Sequence, residues 1–164
     1  MKISAGLLMY RRRAGNLEVL LTHPGGPFWR NKDEGAWSVC KGEAAAGEDL
    51  MATAIREFEE ETGIRPAGPF VELTPVRQKG GKIVHAWAVA GDCDPAQIRS
   101  NSFRLECPPR SGLFQEFPEI DRAEFFSLDA ARKKINPAQA AFLDELAAKL
   151  HGIQMPEAGS QEPE

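Results

Sequence analysis

The sequence predicts an α+β fold built around a mixed β-sheet. Two pairs of β-rich segments are each joined by a short turn, which is typical of hairpins, and one amphipathic helix lies between the pairs. Strands and helices do not alternate regularly, and this disfavours a doubly wound parallel sheet. A chain of 164 residues is long enough for one domain with a hydrophobic core. We expect that domain to span residues 1–151.

The first hairpin comes from the β-rich runs Ile3–Arg12 and Leu17–His23, which the turn residues 13–16 connect. A loop rich in Gly and Pro follows over residues 23–37, and Ala36–Cys40 is predicted to form a short strand. This strand leads directly into the amphipathic helix.

The helix is predicted to start near Glu48 and Asp49, because acidic residues suit a first turn. It ends before Gly63, which has the C′ position expected of glycine, and Pro66 follows shortly after. The elements predicted after this helix are strands Phe70–Gln78 and Lys82–Ala90, a long loop over 91–118, strand Glu124–Ser127, helix Leu128–Ile135, a helix opened by Pro137, and a disordered tail over 152–164.

Composition narrows the functional classes. A net charge of −4 without a long basic run makes a nucleic-acid partner an unfavoured interpretation. No apolar run approaches the roughly 18 residues of a membrane span, and the first residues do not resemble a signal peptide, so we expect a cytoplasmic protein. The cysteines Cys40, Cys93 and Cys107 are odd in number and contain no CxxC pair, which predicts reduced thiols.

The segment from Gly42 to Ile64 contains an unusual cluster of acids. At helical spacing Glu57, Glu60 and Glu61 share one face, beside an apolar face that includes Phe58. Like charges at this spacing cost about 0.2–0.5 kcal/mol, and acids in a last turn oppose the helix dipole. A divalent cation removes both penalties, and oxygen ligands without Cys or His favour Mg²⁺ or Mn²⁺. The alternative is a solvated acidic face.

The spacing of the whole segment resembles the Nudix box at every defined position. Gly42, five residues, Glu48, seven residues and then the run 56–64 reproduce its pattern, and the flanking residues Trp37 and Lys41 are similar too. The resemblance extends over roughly residues 1–150. It implies an α/β/α sandwich in which the box forms a loop–helix–loop. It also implies a hydrolase that splits a nucleoside diphosphate linked to another moiety.

The resemblance also implies roles for individual residues. Glu60 and Glu61 are the core ligands of Mg²⁺, with Mn²⁺ as a substitute, and Glu57 is a ligand or the group that orients or deprotonates water. The backbone carbonyl of Lys41 occupies another ligand position. Arg56 forms an orienting salt bridge to a box glutamate, the alternative being an exposed surface arginine.

A further acid often comes from a loop outside the box in this family. Glu119 has the spacing of the nucleotide-sanitising branch, and Glu116 is the next candidate. Glu48 is either a supporting group of the site or a first-turn acid. The predicted substrate contacts are Arg77, Lys79 and Lys41 for phosphates and Trp29 for stacking on a base.

The substrate itself stays open. Dinucleoside polyphosphates and damaged nucleoside triphosphates are the preferred interpretations. A non-catalytic nucleotide-sensing module and an RNA 5′-end pyrophosphohydrolase are alternatives, the latter disfavoured by the acidic charge, and a homodimer is compatible with the sequence. Markers of substrate subclasses are absent, since the only tyrosine is Tyr10, and Cys40 stands where many relatives carry proline.

Overall fold

The computed structural model describes residues 2–151. The elements in chain order are strands β1 (Ile3–Arg13), β2 (Asn16–Pro24) and β3 (Cys40–Glu43), helix α1 (Leu50–Thr62), strands β4 (Phe70–Arg77), β5 (Ile83–Ala90), β6 (Ser102–Glu106), β7 (Phe114–Pro118) and β8 (Ile120–Ser127), and helices α2 (Leu128–Lys134) and α3 (Ala140–Leu150), with 3₁₀ turns at Pro95–Gln97 and Pro137–Gln139.

The main sheet has six strands in the order β4-β5-β1-β2-β8, and β3 pairs with β1 beside this path. Strand β1 runs parallel to β5 and antiparallel to both β2 and β3. The sheet is therefore mixed, and the predicted α+β class is confirmed.

Alternation along β1 divides the core into two layers. Leu8 and Tyr10 pack into the cluster that also holds Phe142 and Leu146 of α3. Leu7 and Met9 point to the opposite face, into the cluster that contains Phe58 of α1. Helices thus cover both faces of the sheet, as the α/β/α arrangement requires.

Helix α1 has clear ends. The side chain of Asp49 accepts a hydrogen bond from the amide of Ala52 at 2.9 Å, which caps the first turn. Gly63 ends the helix in the left-handed region with φ of 75°, a conformation that glycine adopts without steric cost. The predicted limits of this helix are confirmed, but Asp49 is its N-cap and Glu48 precedes it, so neither acid lies in the first turn as predicted.

The segment 91–118 differs from the predicted long loop. It contains the β6–β7 hairpin, in which Phe103 and Phe117 pair across the strands with ring centroids 6.0 Å apart. Every residue of both strands is exposed or half-buried, and each strand has only five residues, so the apolar alternation at Phe103 and Leu105 is too short to distinguish the hairpin from a loop. The hairpin was missed because local pairing rather than core burial holds it.

Two strand limits also need correction. Strand β8 begins at Ile120 rather than at residue 124, because its first residues pair with β2 without being buried. Residues 36–39 make only isolated bridges, Thr22 with Ser38 and Trp37 with Ile135, and the regular strand starts at Cys40.

The tail predicted over 152–164 lies outside the described residues. Within residues 2–151 no helix is long and apolar enough to cross a membrane.

Candidate active site

Strand β3 brings the start of the box against helix α1. Its residues Lys41 and Gly42 pair with Gly6 and Ala5 of β1. A Cβ atom on Gly42 would overlap the Cγ and Cδ atoms of Glu57. The Glu57 side chain therefore occupies space that exists only because residue 42 is glycine.

The loop that follows β3 is fixed by Glu48. One of its carboxylate oxygens accepts a hydrogen bond from the amide of Ala45 at 2.9 Å, and the other pairs with Arg56. The backbone bond, with Arg56 adding to it, lowers the pKa of Glu48. Glu48 thus acts as a support that joins the loop to α1.

Arg56 contacts three glutamates of the box. Besides Glu48, its guanidinium lies 3.5 Å from Glu57 Oε1 and 3.8 Å from Glu60 Oε1. A planar guanidinium has five N–H donors, so it can hold several carboxylates in fixed positions. These contacts agree with the orienting role that the sequence predicts for Arg56.

The three acids of α1 differ in environment. Glu61 is 3% exposed, and its Oε2 atom accepts a hydrogen bond from the Cys40 thiol at 2.9 Å. The side chains of Glu57 and Glu60 are 18% and 44% exposed. The acidic face therefore runs from the protein interior at Glu61 to solvent at Glu60.

The carboxylates repel one another. Burial raises the pKa of Glu61 to about 7; the Cys40 hydrogen bond opposes this shift, and the charges of Glu57 and Glu119 reinforce it. Burial also raises the pKa of Glu57, with repulsion from Glu60 and Glu119 adding to it against the attraction of Arg56. The side chain of Glu119 is therefore close enough to act on two acids of α1.

Glu119 reaches this position because its backbone is tied on both sides. Its amide donates to the carbonyl of Asn101 at 2.8 Å, and its carbonyl accepts from the amide of Gly25 at 2.9 Å. Glu116 lies instead on the exposed β6–β7 hairpin, in register with Arg104. Of the two candidate loop acids, Glu119 is the one beside the box.

These residues fit a divalent cation by chemistry. They supply only oxygen donors. Burial, with repulsion between the acids adding to it, raises the pKa of Glu57 and of Glu61, and a cation between them would favour the charged carboxylates. Within residues 2–151 no set of three or more His, Cys, Asp or Glu side chains is already arranged as a metal site. The exposed side chain of Glu60 is one that can turn towards a cation.

A cleft of about 290 Å³ opens beside the acids. Glu61 and Glu119 line one part of it, and Trp29, Lys41, Gln78 and Lys82 line other parts. Burial and the nearby charge of Lys82 lower the pKa of Lys41 to about 8. The cleft therefore combines acids, cations and an aromatic ring, as a site for a charged aromatic ligand needs.

The predicted substrate residues are placed unequally. Trp29 and Lys41 line the cleft. Arg77 borders a neighbouring groove with Lys2 and Lys82, and Lys79 is exposed in the turn between β4 and β5. Because Lys82 lines both the cleft and the groove, the two are adjacent.

Sequence reasoning missed three amide side chains of the cleft, Gln78, Asn136 and Gln139. Asn136 precedes Pro137 and caps the 3₁₀ turn there, with its Oδ1 atom accepting from the amide of Ala138. The Asn-Pro pair was a signal for this turn. No local signal indicated that the turn faces β4.

Comparison with known proteins agrees with this geometry. The model of the NUDIX domain family matches residues 2–146. The chain therefore belongs to the Nudix family, and the fold and the box together define a hydrolase of pyrophosphate bonds.

Solved structures with the same fold include an Ap4A hydrolase from C. elegans in a binary complex. It is 25% identical, the match covers 93% of this chain and 100% of that chain, and the TM-score is 0.64. The NUDIX domain of Shewanella oneidensis NrtR, complexed with ADP ribose, is 16% identical over 90% of this chain and 86% of that chain, with a TM-score of 0.57. The second likeness concerns the fold alone.

Among curated proteins, an octanoyltransferase from Myxococcus xanthus is 36% identical over 75 residues. The match covers 46% of this chain and only 18% of that protein. The chain thus spans a small part of this relative.

Proposed function

We propose that this chain is a Mg²⁺-dependent pyrophosphohydrolase of a nucleotide in which a nucleoside diphosphate is linked to another moiety. The observation that carries the proposal is the position of Arg56, which contacts Glu48, Glu57 and Glu60 at once. An arginine with no role beyond solubility is not expected to contact three carboxylates. Several such contacts are expected of a guanidinium that positions the carboxylates of a reaction centre.

The proposed ligands of Mg²⁺ are Glu57, Glu60, Glu61, Glu119 and the backbone carbonyl of Lys41, with Mn²⁺ as a substitute. When bound, the metal neutralises charge on the non-bridging phosphate oxygens and promotes attack by water. The raised pKa values of Glu57 and Glu61 support this set, because burial and then repulsion between the acids disfavour their charged forms, and a bound cation would stabilise those forms.

The side chains of the chain position the reactants. Glu57 orients the attacking water or takes its proton, since burial, reinforced by the charges of Glu60 and Glu119, raises its pKa. Arg56 holds Glu57 and Glu60 in place. Lys41 and Lys82 face the phosphates, and Trp29 is available to stack on the base. Arg77 and Lys79 stay predictions for the more distant phosphates of a long substrate.

Dinucleoside polyphosphates and damaged nucleoside triphosphates are the proposed substrates. The likeness to an Ap4A hydrolase over the full length of that chain supports the first of them. A sensing module without catalysis is the alternative, and the complete set of box acids argues against it.

A substrate panel tests the proposal. Hydrolysis of dinucleoside polyphosphates, oxidised and normal nucleoside triphosphates and nucleoside diphosphate sugars is measured with Mg²⁺, with Mn²⁺ and with a chelator. We expect activity with either metal and none with the chelator, and Glu60→Gln or Glu61→Gln should lower kcat by about a thousandfold.

Glu59→Gln is the matched control, because Glu59 pairs with Arg65 at the end of the same helix and takes no part in the proposed site. Its activity should stay close to that of the wild type. Full hydrolysis in the chelator would refute the metal dependence. Binding of nucleotides without hydrolysis of any of them would favour the sensing module.

A further inference from the structure

A chain of buried and half-buried amides fixes the hydrogen-bonding character of one wall of the cleft. The amide N–H of Val39 donates to Gln139 Oε1 at 3.0 Å, and Gln139 is fully buried. This backbone donor determines which way the Gln139 amide faces, because only its oxygen can accept. The Nε2 group of Gln139 must then be the donor to its other partners.

The orientation of the Gln139 amide in turn fixes the orientation of the Gln78 amide. The Nε2 group of Gln139 donates to Ser38 Oγ at 3.0 Å and to Gln78 Oε1 at 2.7 Å. The oxygen of Gln78 is therefore engaged with a protein donor. Gln78 is half-buried and lines the cleft, and within residues 2–151 nothing accepts a hydrogen bond from its NH₂ group.

Asn136 repeats the pattern. Its Oδ1 atom accepts from the amide of Ala138 at 2.9 Å, and its NH₂ group donates to no residue in the described part of the chain. In the cleft, Gln78 and Asn136 thus each have an oxygen that accepts a hydrogen bond from the protein and an NH₂ group that is available to a ligand. The carboxylates of the cleft, Glu61 and Glu119, are assigned to the metal.

We propose that this wall selects the nucleobase, and that the site prefers a purine with a carbonyl oxygen at position 6 over one with an amino group there. The inference rests on the proposed function, with the base of the nucleotide placed beside Gln78 in the cleft. Among dinucleoside polyphosphates it favours those with 6-oxo purines, so this chain would differ in its base from the Ap4A hydrolase that it resembles. A 6-oxo group accepts from the NH₂ group of Gln78. A 6-amino group is itself a donor, so it and the NH₂ group of Gln78 face each other without a hydrogen bond. Sites with polar groups discriminate most strongly against ligands that leave such groups unpaired.

Binding of nucleoside monophosphates tests the preference without requiring hydrolysis. IMP and AMP share the sugar and the phosphate and differ in the 6-substituent and in the N1 proton that accompanies the 6-oxo group. We expect the wild-type protein to bind IMP at least about tenfold more tightly than AMP in calorimetric titrations. GMP should behave like IMP. Equal Kd values for IMP and AMP, or tighter binding of AMP, would overturn the inference.

Gln78→Glu replaces the free donor by an acceptor and should reverse the ratio of the two Kd values in favour of AMP. The added charge repels any nucleotide, but this repulsion is common to both ligands and cancels in the ratio. Gln97→Glu introduces the same charge at an exposed residue outside the cleft and should leave the ratio unchanged. An unchanged ratio in Gln78→Glu would contradict the proposal.

Gln139→Glu is a stricter test, because in the proposal this residue acts on the base only through Gln78. A carboxylate there accepts from Val39 with one oxygen and forces Gln78 to turn its NH₂ group inward, so Gln78 presents its oxygen to the cleft. The Kd ratio should then shift towards AMP. A merely structural role would weaken both ligands equally. If this variant does not fold, Gln78→Glu decides alone.

The outcomes separate this inference from the proposed function. Hydrolysis of the panel together with equal binding of IMP and AMP, or with no monophosphate binding, overturns the base preference alone. A clear preference for IMP in a protein that hydrolyses nothing supports the base preference and overturns the proposed enzyme.

Discussion

Gly42 and Glu57 are packed so closely that the Glu57 side chain fills the place of a Cβ atom on residue 42. The contact joins strand β3 to helix α1 at the proposed metal site. Gly42 lies opposite Ala5 in the sheet, so the backbone on its side cannot move away without breaking strand pairing. A larger residue at position 42 would therefore displace the carboxylate of Glu57.

Gly42→Ala should therefore displace Glu57 and lower kcat by about a hundredfold or more, with a smaller effect on folding. Steady-state kinetics and thermal unfolding measure the two effects. Gly91→Ala is the control, because its added methyl group would meet only the flexible side chain of Met9, with Cε at 2.7 Å. Similar kinetics for both variants would show that the contact has no role in positioning Glu57.

The thiol of Cys40 positions Glu61. The sulfur lies 2.9 Å from Glu61 Oε2 inside the protein, and Cys40 is 1% exposed. Cys40→Ser keeps a donor and should retain activity within about threefold, whereas Cys40→Ala removes the donor and should weaken Mn²⁺ binding and lower kcat by about tenfold. Mn²⁺ titration followed by electron paramagnetic resonance separates the loss of a ligand position from a general loss of stability. Equal Mn²⁺ affinity in both variants would rule out the positioning role.

Arg56 should act through the geometry of its guanidinium. Arg56→Lys keeps the charge but replaces the planar fork that contacts three glutamates by a single ammonium. We expect kcat to fall by more than about tenfold, with little change in Tm, since the side chain is half exposed. Arg65→Lys is the matched control, because Arg65 pairs only with Glu59 among the described residues, at 3.5 Å. Wild-type turnover in Arg56→Lys would mark Arg56 as a surface residue.

Glu119 should supply the acid from outside the box. It lines the cleft with Glu61, and its charge acts on Glu57 and Glu61. Glu119→Gln is expected to lower activity by more than about tenfold and to raise the Mg²⁺ concentration needed for half-maximal activity. Glu116→Gln, on the exposed hairpin, should change neither value appreciably. The reverse order of effects would assign the ligand to Glu116.

Glu145 should make stability depend on pH at the other face of the sheet. Its Oε1 atom accepts from the amide of Thr74 at 2.7 Å, and Lys149 lies 3.1 Å from its Oε2 atom. Partial burial works to raise the pKa of Glu145, but the Thr74 amide and Lys149 outweigh it and lower the pKa. The unfolded chain then binds the proton more tightly than the folded one. The stabilisation is complete above the unfolded pKa of about 4.3 and is lost as the pH falls through the lower folded value.

Glu145→Gln removes this contribution. Denaturant unfolding should show the variant less stable than the wild type at pH 7, with the difference narrowing as the pH is lowered below about 4. Asp144→Asn is the neighbouring control, because Asp144 pairs with the half-exposed Arg132 and accepts from no backbone amide among the described residues. A difference that stays constant with pH would show that the ionised carboxylate contributes nothing.

The sequence by itself determined the helix of the box and its acids. Asp49, Gly63 and the apolar spacing around Phe58 act within one helix, so local rules were enough to place its ends and its faces. The hairpins β1–β2 and β4–β5 followed from turn signals for the same reason, whereas the parallel pairing of β1 with β5, which makes the sheet mixed, joins distant segments. The β6–β7 hairpin did not follow from such signals, because its five-residue strands have no buried residue and their apolar alternation is too short to stand out from a loop.

Tertiary structure decided which of the acids is buried and what faces the substrate. Spacing alone put Glu57, Glu60 and Glu61 on one face. Only the approach of β3 buries Glu61 under Cys40 while Glu60 remains exposed.

The amides of Gln78 and Gln139 lie 61 residues apart in sequence and meet only because the turn after Pro137 packs against the end of β4. Their hydrogen-bond directions follow from one buried backbone amide, that of Val39. Such a relation arises from packing between distant segments, and no local pattern in the sequence encodes it.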